Sequence, residues 1–249
     1  MNNSWCLFII FHFLVCVCTS KNLPSFITKC KRHYPEVNKC LLQRADELKP
    51  YLEKGIPELN FPSLKPLIIP KLEVHTGNGG STDFSAKFEN IRVDHLLEDF
   101  EIKELDFNID NNKIDLTLFI PKIRIRTTYT FKGNIFALQL SSTGPSDGNL
   151  TDIYGFNHVN SKIITKNGKQ YLDITDNTLT AKYSISRLRF ENIFEGNEEL
   201  TEQTNKALNE NIDEIGKDIK PLIEEAIRGI LQRLIQQIFN DYSLDELFV

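Results

Sequence analysis

From Glu198 to Asn240 the chain carries Leu200, Leu208, Ile212, Ile215, Ile219, Leu222, Ile223, Ala226, Ile227, Ile230, Leu231, Leu234, Ile235 and Ile238, nearly every step three or four residues. Apolar side chains at that spacing share one face of an α-helix. An unbroken helix of this length would span about 64 Å at 1.5 Å per residue. Whatever else the chain does, it must cover that stripe. From Ile219 onward the stripe widens to two adjacent positions per turn, whereas the first half carries Gln203, Asn205, Asn209 and Asn211. This predicts a deeply buried second half and a kink at the junction, near Gly216 and Pro221. Asn and Thr fall where a coiled coil needs apolar a and d positions. Glu210, Asp213, Glu214, Glu224 and Glu225 oppose an anionic membrane surface.

The material to cover the stripe lies upstream. Residues from about 84 to 194 follow the two-residue period of antiparallel strands. Ile114, Leu116, Leu118 and Ile120 alternate with Asp115, Thr117 and Phe119. Past Pro121 the apolar parity flips to Ile123, Ile125, Tyr129 and Phe131, as a β-bulge at the proline would produce. Leu179, Ala181, Tyr183 and Ile185 alternate in turn, with a second flip before Leu188 and Phe190. Bulges bend strands, so the sheet should be strongly curved. Turns are expected at Asn111-Asn112, at Lys132-Gly133-Asn134 and at Asn167-Gly168, the last a strong two-residue hairpin signal. The fold class that follows is α+β: a long C-terminal helix wrapped by a highly curved antiparallel sheet.

Ahead of the strands, Val37, Cys40, Leu41, Ala45, Leu48 and Leu52 predict a helix over Glu36 to Leu52, ended by Pro50 and Gly55-Ile56-Pro57. Pro57, Pro62, Pro66 and Pro70 then impose an extended connector, and Gly77-Asn-Gly-Gly80 marks a turn. At the start, Trp5 to Cys18 is an apolar run of about 14 residues, short of the roughly 20 that a membrane span needs. Small residues follow, with Cys18 and Ser20 at −3 and −1 of a cut before Lys21. Residues 1–20 therefore read as a secretory signal peptide and 21–249 as one secreted, extracellular domain. Of five cysteines, removal of Cys6, Cys16 and Cys18 leaves Cys30 and Cys40. An oxidising compartment would join that even pair, tying down the N-terminal helical segment.

The formal net charge is −5, and residues 1–20 hold no Lys, Arg, Asp or Glu, so the mature chain keeps it. That argues against a nucleic-acid partner. No Gly-x-Ser-x-Gly elbow, His-Glu-x-x-His or phosphate loop occurs. His33, His75, His95 and His158 are scattered, and Asp94-His95, the one adjacent acid–His pair, has no nucleophile to activate. His33 lies near the cysteines, but a zinc site would want a fourth ligand. No catalytic residue, cofactor or metal is expected. Asn149-Leu-Thr151 is an N-glycosylation sequon in a Gly/Pro/Asp-rich stretch that reads as an exposed loop. Lys122, Arg124 and Arg126 oppose Ile123 and Ile125 in parity and read as the solvent face of a strand.

An apolar layer between helix and sheet is either solid core or the wall of a cavity, and the residues alone leave both open. The candidate wall is Leu222, Ile223, Ile227, Ile230 and Leu234 on the helix, with Phe107, Phe119, Ile125, Phe131, Phe136 and Tyr183 on the sheet. Tyr129 shares parity with Ile125 and Phe131 yet carries a hydroxyl, which would seek either a ligand oxygen or a backbone group.

Several local patterns run in one order along the chain. They are Cys30 and Cys40, Leu48-Lys-Pro-Tyr-Leu-Glu-Lys-Gly-Ile-Pro-Glu-Leu59, Pro121-Lys-Ile-Arg-Ile-Arg-Thr-Thr-Tyr129 followed by Gly133, and Ser142-Thr-Gly-Pro145. Asn192-Ile-Phe-Glu-Gly-Asn-Glu-Glu-Leu200, Leu208-Asn-Glu-Asn211, Lys220-Pro221, Ile238-Phe239 and Asp245-Glu-Leu-Phe248 complete the series. In this order and spacing they resemble the takeout and juvenile-hormone-binding protein family of arthropods. The resemblance implies an elongated apolar tunnel between helix and sheet. It implies a carrier of juvenile hormone, another terpenoid or a fatty-acid-like lipid, with Tyr129 on a strand bordering the pocket. Dedicated hormone carriers have a second disulfide that this chain cannot form, which points to the broader takeout branch. The expected state is a monomer holding one hydrophobic small molecule, without stable membrane insertion. Two other readings compete: a protein-interaction or signalling module with a filled interior, and a membrane-docking lipid-transfer protein with a basic or aromatic rim at the tunnel mouth.

Overall fold

In the computed structural model, which describes residues 23–76, 84–135 and 138–249, helix α1 (Glu36–Lys54) leads through a 3₁₀ turn at Pro57–Leu59. Strands β1 (Leu67–Thr76), β2 (Phe84–Asp94) and β3 (Glu101–Asn108) follow. Three longer strands come next: β4 (Lys113–Ile135), β5 (Leu138–Lys166) and β6 (Lys169–Phe190), of 23, 29 and 22 residues. Helices α2 (Glu198–Glu210), α3 (Ile212–Asp241) and the single turn α4 (Leu244–Leu247) come last. The expected signal peptide, the Gly77–Gly80 turn and Phe136 lie outside the described residues.

The strands form one antiparallel sheet in the order β1-β2-β4-β5-β6, with β3 on β4 ahead of the stretch that β2 occupies. Two hairpins fall where the turn residues predict. Asn112 takes a left-handed φ of 58° between β3 and β4. Asn167 and Gly168, at φ 51° and 77°, join β5 to β6 in the twist that a two-residue hairpin requires. Lys132-Gly133-Asn134 does not turn. All three stay paired with β5, opposite Ser141, Leu140 and Gln139, and β4 continues to Ile135.

Curvature comes from extra residues in the ladders. Asn90, left-handed at φ 54°, is the surplus residue of β2 against β4. Asp152, at φ 52°, bulges β5 against β6, and β6 gains residues at Thr175 and Ser186. The Ser186 bulge produces the second parity flip, between Ile185 and Leu188. The first flip has a different origin from the one expected. The β4–β5 register passes unbroken from Ile120↔Ile153 to Lys122↔Thr151, so Pro121 makes no bulge against β5. The surplus residue lies one strand over, at Asp152 opposite the proline.

The C-terminal helical run is interrupted at Asn211, while Gly216 and Pro221 both lie inside α3. Asn211 donates its side-chain amide to the Ala207 carbonyl at 2.8 Å, competing with the backbone for that acceptor. The expected burial is also reversed. α2 carries buried Thr201 and Asn205, and no described side chain of α3 is buried. The reason lies in the free edge of β6. Asn205 takes the Phe190 N–H at 2.8 Å and returns its own amide to the Phe190 carbonyl at 2.7 Å. Asn209 repeats this at Leu188, at 2.9 and 2.6 Å. Helical positions i and i+4 thus meet alternate residues of a strand, and two amides stand in for a missing neighbour.

At the N-terminus α1 runs through Pro50 to Lys54, two residues past the predicted end, before Gly55 at φ 84°. The Cys30–Cys40 disulfide ties the preceding segment to α1 with Cα atoms 5.9 Å apart. Cys30 also bridges to Phe248, so the disulfide and the C-terminal turn share one cluster with Val37, Phe107, Val159 and Leu172. Among the described residues no helix is long and apolar enough to cross a membrane.

Candidate functional site

α3 lies antiparallel along β6. Gly216 faces the Ile185 side chain, Glu224 accepts the Ala181 N–H at 2.6 Å, and Ile235 and Phe239 reach the cluster around Leu172 and Ile174. β6 is the last strand of the curled sheet, so the helix closes it from its edge.

Two buried clusters mark the ends of this helix–sheet layer. One end is the disulfide cluster, where Phe107 packs on Phe248 with ring centroids 5.4 Å apart and Ile114 of β4 joins. The other holds Ala86, Tyr129, Phe131 and Ile193, with Phe190 and Leu208 against them. Measured along β4 from Ile114 to Tyr129, these ends stand about 50 Å apart at roughly 3.3 Å per residue. Between them Ile91, Val93, Leu150 and Ala181 are buried. Leu116, Leu118, Ile120, Ile123, Ile125, Leu179, Tyr183 and Ile185 stay partly exposed, as do Ile223, Ile230, Leu231 and Leu234 of α3, and Ile227 is 40% exposed. An apolar stripe this wide normally packs to near-full burial. Here it does not.

The predicted wall residues divide into three groups. Ile125, Tyr183, Ile223, Ile227, Ile230 and Leu234 belong to the partly exposed middle. Phe107 and Phe131 belong to the solid ends. Phe119 lies on the other face of the sheet. It pairs with Tyr154, ring centroids 4.7 Å apart, under the Lys103 ammonium. Tyr154 and Phe156 continue that outer stripe, with Lys182 over Phe156. Phe119 alternates with the inward Leu118 and Ile120, so its own parity with Asp115 and Thr117 places it outside. Leu222 is within α3, and Phe136 lies beyond the described residues.

Tyr129 is 3% exposed and its hydroxyl donates to the Glu191 carbonyl at 2.8 Å, while its ring meets Phe190 edge-on. Burial raises its phenol pKa, with the Ser142 hydroxyl opposing. Its polar group is therefore spent on the backbone. Tyr183 is different: its hydroxyl is buried and has no partner. Burial pushes this phenol up to about 12, helped by the Glu224 carboxylate. In the sequence Tyr183 reads as apolar wall and Glu224 as charge facing away from it; the signal that sets Glu224 apart is an acidic residue interrupting a widened apolar stripe.

The remaining polar features are structural. Asp94 and His95 separate, Asp94 being held by Arg92 and Arg126 while His95 turns to Glu98 at 2.8 Å. Arg124 pairs with Asp147 on the outer face. Asn149 is not in a loop. It lies within β5, paired with Arg124 and Arg187 on either side, because the Gly/Pro-rich stretch is held between two long strands. Its neighbours Gly148 and Leu150 are buried, so its side chain takes the outer face.

A curled antiparallel sheet with a long helix along its last strand, buried at both ends of the layer and partly exposed between, defines an α+β fold class. The chain belongs to the haemolymph juvenile hormone binding protein family, whose model matches residues 8–249. It is 26% identical over 235 residues to the circadian clock-controlled protein daywake of Drosophila yakuba, covering 92% of this chain and 89% of that protein. The daywake protein of Drosophila melanogaster matches to the same extent, 26% over 235 residues. Among solved structures, Takeout 1 of Epiphyas postvittana superimposes with a TM-score of 0.70 at 16% identity, over 88% of this chain and 98% of that one. That likeness bears out the expected α+β fold. The family binds hydrophobic small molecules and is known for binding rather than catalysis.

Proposed function

We propose that this chain is a secreted, monomeric carrier that holds one hydrophobic molecule, a terpenoid such as juvenile hormone or a fatty-acid-like lipid, between α3 and the inner face of the sheet. The observation that carries this reading is the partial exposure of a 30-residue helix whose apolar stripe runs between two solid clusters. Burying each ligand CH₂ there would contribute about 0.8 kcal/mol, so an acyl or isoprenoid chain gains ample affinity with few polar contacts. The wall residues are Ile125, Tyr183, Ile223, Ile227, Ile230 and Leu234, with Leu222 beside them in sequence. Tyr129, Phe107 and Phe131 act by closing the ends.

On this reading residues 1–20 are removed on secretion and 21–249 form one domain. Asn149, on the outer face, carries a glycan that leaves the ligand space clear. A saturable titration with the apolar dye N-phenyl-1-naphthylamine tests the carrier directly. One-to-one uptake that Ile227→Glu weakens at least tenfold supports it. Absence of uptake by protein stripped of lipid would contradict it.

A further inference from the structure

Two large rings stand side by side on the outer face of the sheet, away from α3. Tyr154 and Phe156, alternate residues of β5, are 36% and 38% exposed, their planes 14° apart and their centroids 6.4 Å apart. Phe119 of β4 lies against the Tyr154 ring, and the Lys182 ammonium stands 5.5 Å from the Phe156 centroid. Single exposed rings are ordinary on a protein surface, but a grouped set marks a surface that something covers.

The same face of the same strand carries the sequon. Asn149 lies five residues before Tyr154, about 16 Å away at roughly 3.3 Å per residue. Between them Thr151 pairs with Ser184 of β6, and among the described residues neither hydroxyl is bonded. Past the rings, exposed Thr180 stands opposite Phe156. In the other direction from Asn149 the surface is ion-paired: Asp147 holds Arg124 at 2.6 Å, and Arg189, opposite Asp147, holds Glu202 at 2.6 Å. A sugar ring has an apolar C–H face and a hydroxyl rim. It fits hydroxyls that lead to aromatic faces and gains little over charges already paired. Around the rings the exposed charges balance, Lys103, Lys122 and Lys182 against Glu101, Glu104 and Asp152, which suits a neutral chain better than a polyanion.

We propose that the glycan on Asn149 folds back along β5, its inner sugars over Thr151 and Ser184 and its mannose residues on Tyr154 and Phe156. This rests on Asn149 being glycosylated and adds where the glycan lies. The covalent tether keeps the sugars at high local concentration, so contacts too weak to capture a free sugar suffice. The docked glycan covers the rings and closes this face to other proteins.

Hydroxyl-radical footprinting of the protein secreted from kifunensine-treated insect cells, read by peptide mass spectrometry, tests this. Intact mass first reports whether Asn149 carries a glycan; a bare Asn149 ends the glycosylation reading and this inference together. With the glycan present, oxidation of Tyr154 and Phe156 should rise about fivefold in Asn149→Gln, as a tethered partner is lost. Tyr34 and Tyr51, comparably exposed and distant in the chain, should not change. Endoglycosidase H leaves a single N-acetylglucosamine on an unaltered Asn149, too short to reach Tyr154, and should raise oxidation of the rings as much as Asn149→Gln. Equal oxidation of the rings in all three forms overturns the docking and leaves the glycosylation standing. If it is uniformly high, the glycan swings free; if uniformly low, a second copy or another partner covers the rings.

Discussion

The Tyr129 hydroxyl donates to the Glu191 carbonyl at 2.8 Å, joining β4 to the residue that follows β6. The same carbonyl presses on Gly144, where an added Cβ would sit 2.2 Å from the Glu191 oxygen. The Glu191 N–H in turn bonds to the Pro145 carbonyl at 2.9 Å. Three sequence patterns that lie far apart in the chain therefore meet at one peptide and seal one end of the helix–sheet layer.

Removing the tyrosine hydroxyl should be felt as lost stability. Tyr129→Phe leaves a part-buried carbonyl short of a donor and should lower unfolding free energy by about 1–2 kcal/mol. Gly144→Ala should cost more, because backbone rather than a flexible side chain must yield. Urea unfolding followed by circular dichroism reads both, and a Tyr129→Phe protein as stable as wild type would remove Tyr129 from this role.

The edge of β6 offers a sharper contrast. Asn205→Leu strips the Phe190 N–H and carbonyl of their partners and should cost about 2–3 kcal/mol. Asn211→Ala, at an exposed position, should cost under about 1 kcal/mol. Equal effects in denaturant titrations would show that the amides of α2 do not cap the sheet.

How far the sequence carried this fold can be judged at particular residues. The long apolar stripe, the Asn167-Gly168 hairpin and the cysteine pair were legible because each is a local signal: periodicity, turn chemistry and a count. The break at Asn211 was not, because Gly216 and Pro221 are stronger helix breakers on propensity alone. What decided it was Asn205 and Asn209 docking on the β6 edge, a contact between distant parts of the chain. The same contact buries the polar half of the helical run, and a reading by hydrophobicity assigns burial to the other half. Phe119 was readable from its parity with Asp115 and Thr117, but its size suggested a wall. In the candidate site the apolar wall was partly legible. The unpaired Tyr183 hydroxyl was not, since no pattern in sequence tells which buried donor lacks an acceptor.

The disulfide closes a short loop and pins Cys30 beside Phe248. Replacing Cys30 and Cys40 together by Ser should cost about 3 kcal/mol through the freed unfolded chain. It should also raise hydrogen exchange in the last residues, where Val249 donates to the Cys30 carbonyl at 2.9 Å. Loss of stability without faster exchange at the C-terminus would separate the two effects.

Glu246 gives a pH-dependent contribution. Lys169 and the Ser243 N–H and hydroxyl hold its carboxyl down to about 2, below its ordinary 4.5. A depressed carboxyl stabilises the fold above the unfolded pKa and loses that contribution as pH falls through the folded one. The window is therefore from about pH 4.5 down to about 2. Glu246→Gln should lower Tm at pH 7 and flatten the fall of Tm across that window. An identical slope in the variant would show that the α4 cap carries none of the acid sensitivity.

The central claim is that the space between α3 and the sheet holds an apolar molecule. Native mass spectrometry of protein secreted from insect cells, followed by solvent extraction, measures this most directly. The account predicts a complex heavier than the processed, glycosylated chain by one small molecule, which the extraction recovers as a terpenoid or fatty-acid-like lipid. A single species at the mass of the chain alone, which takes up no methyl palmitate when incubated with it, would contradict it.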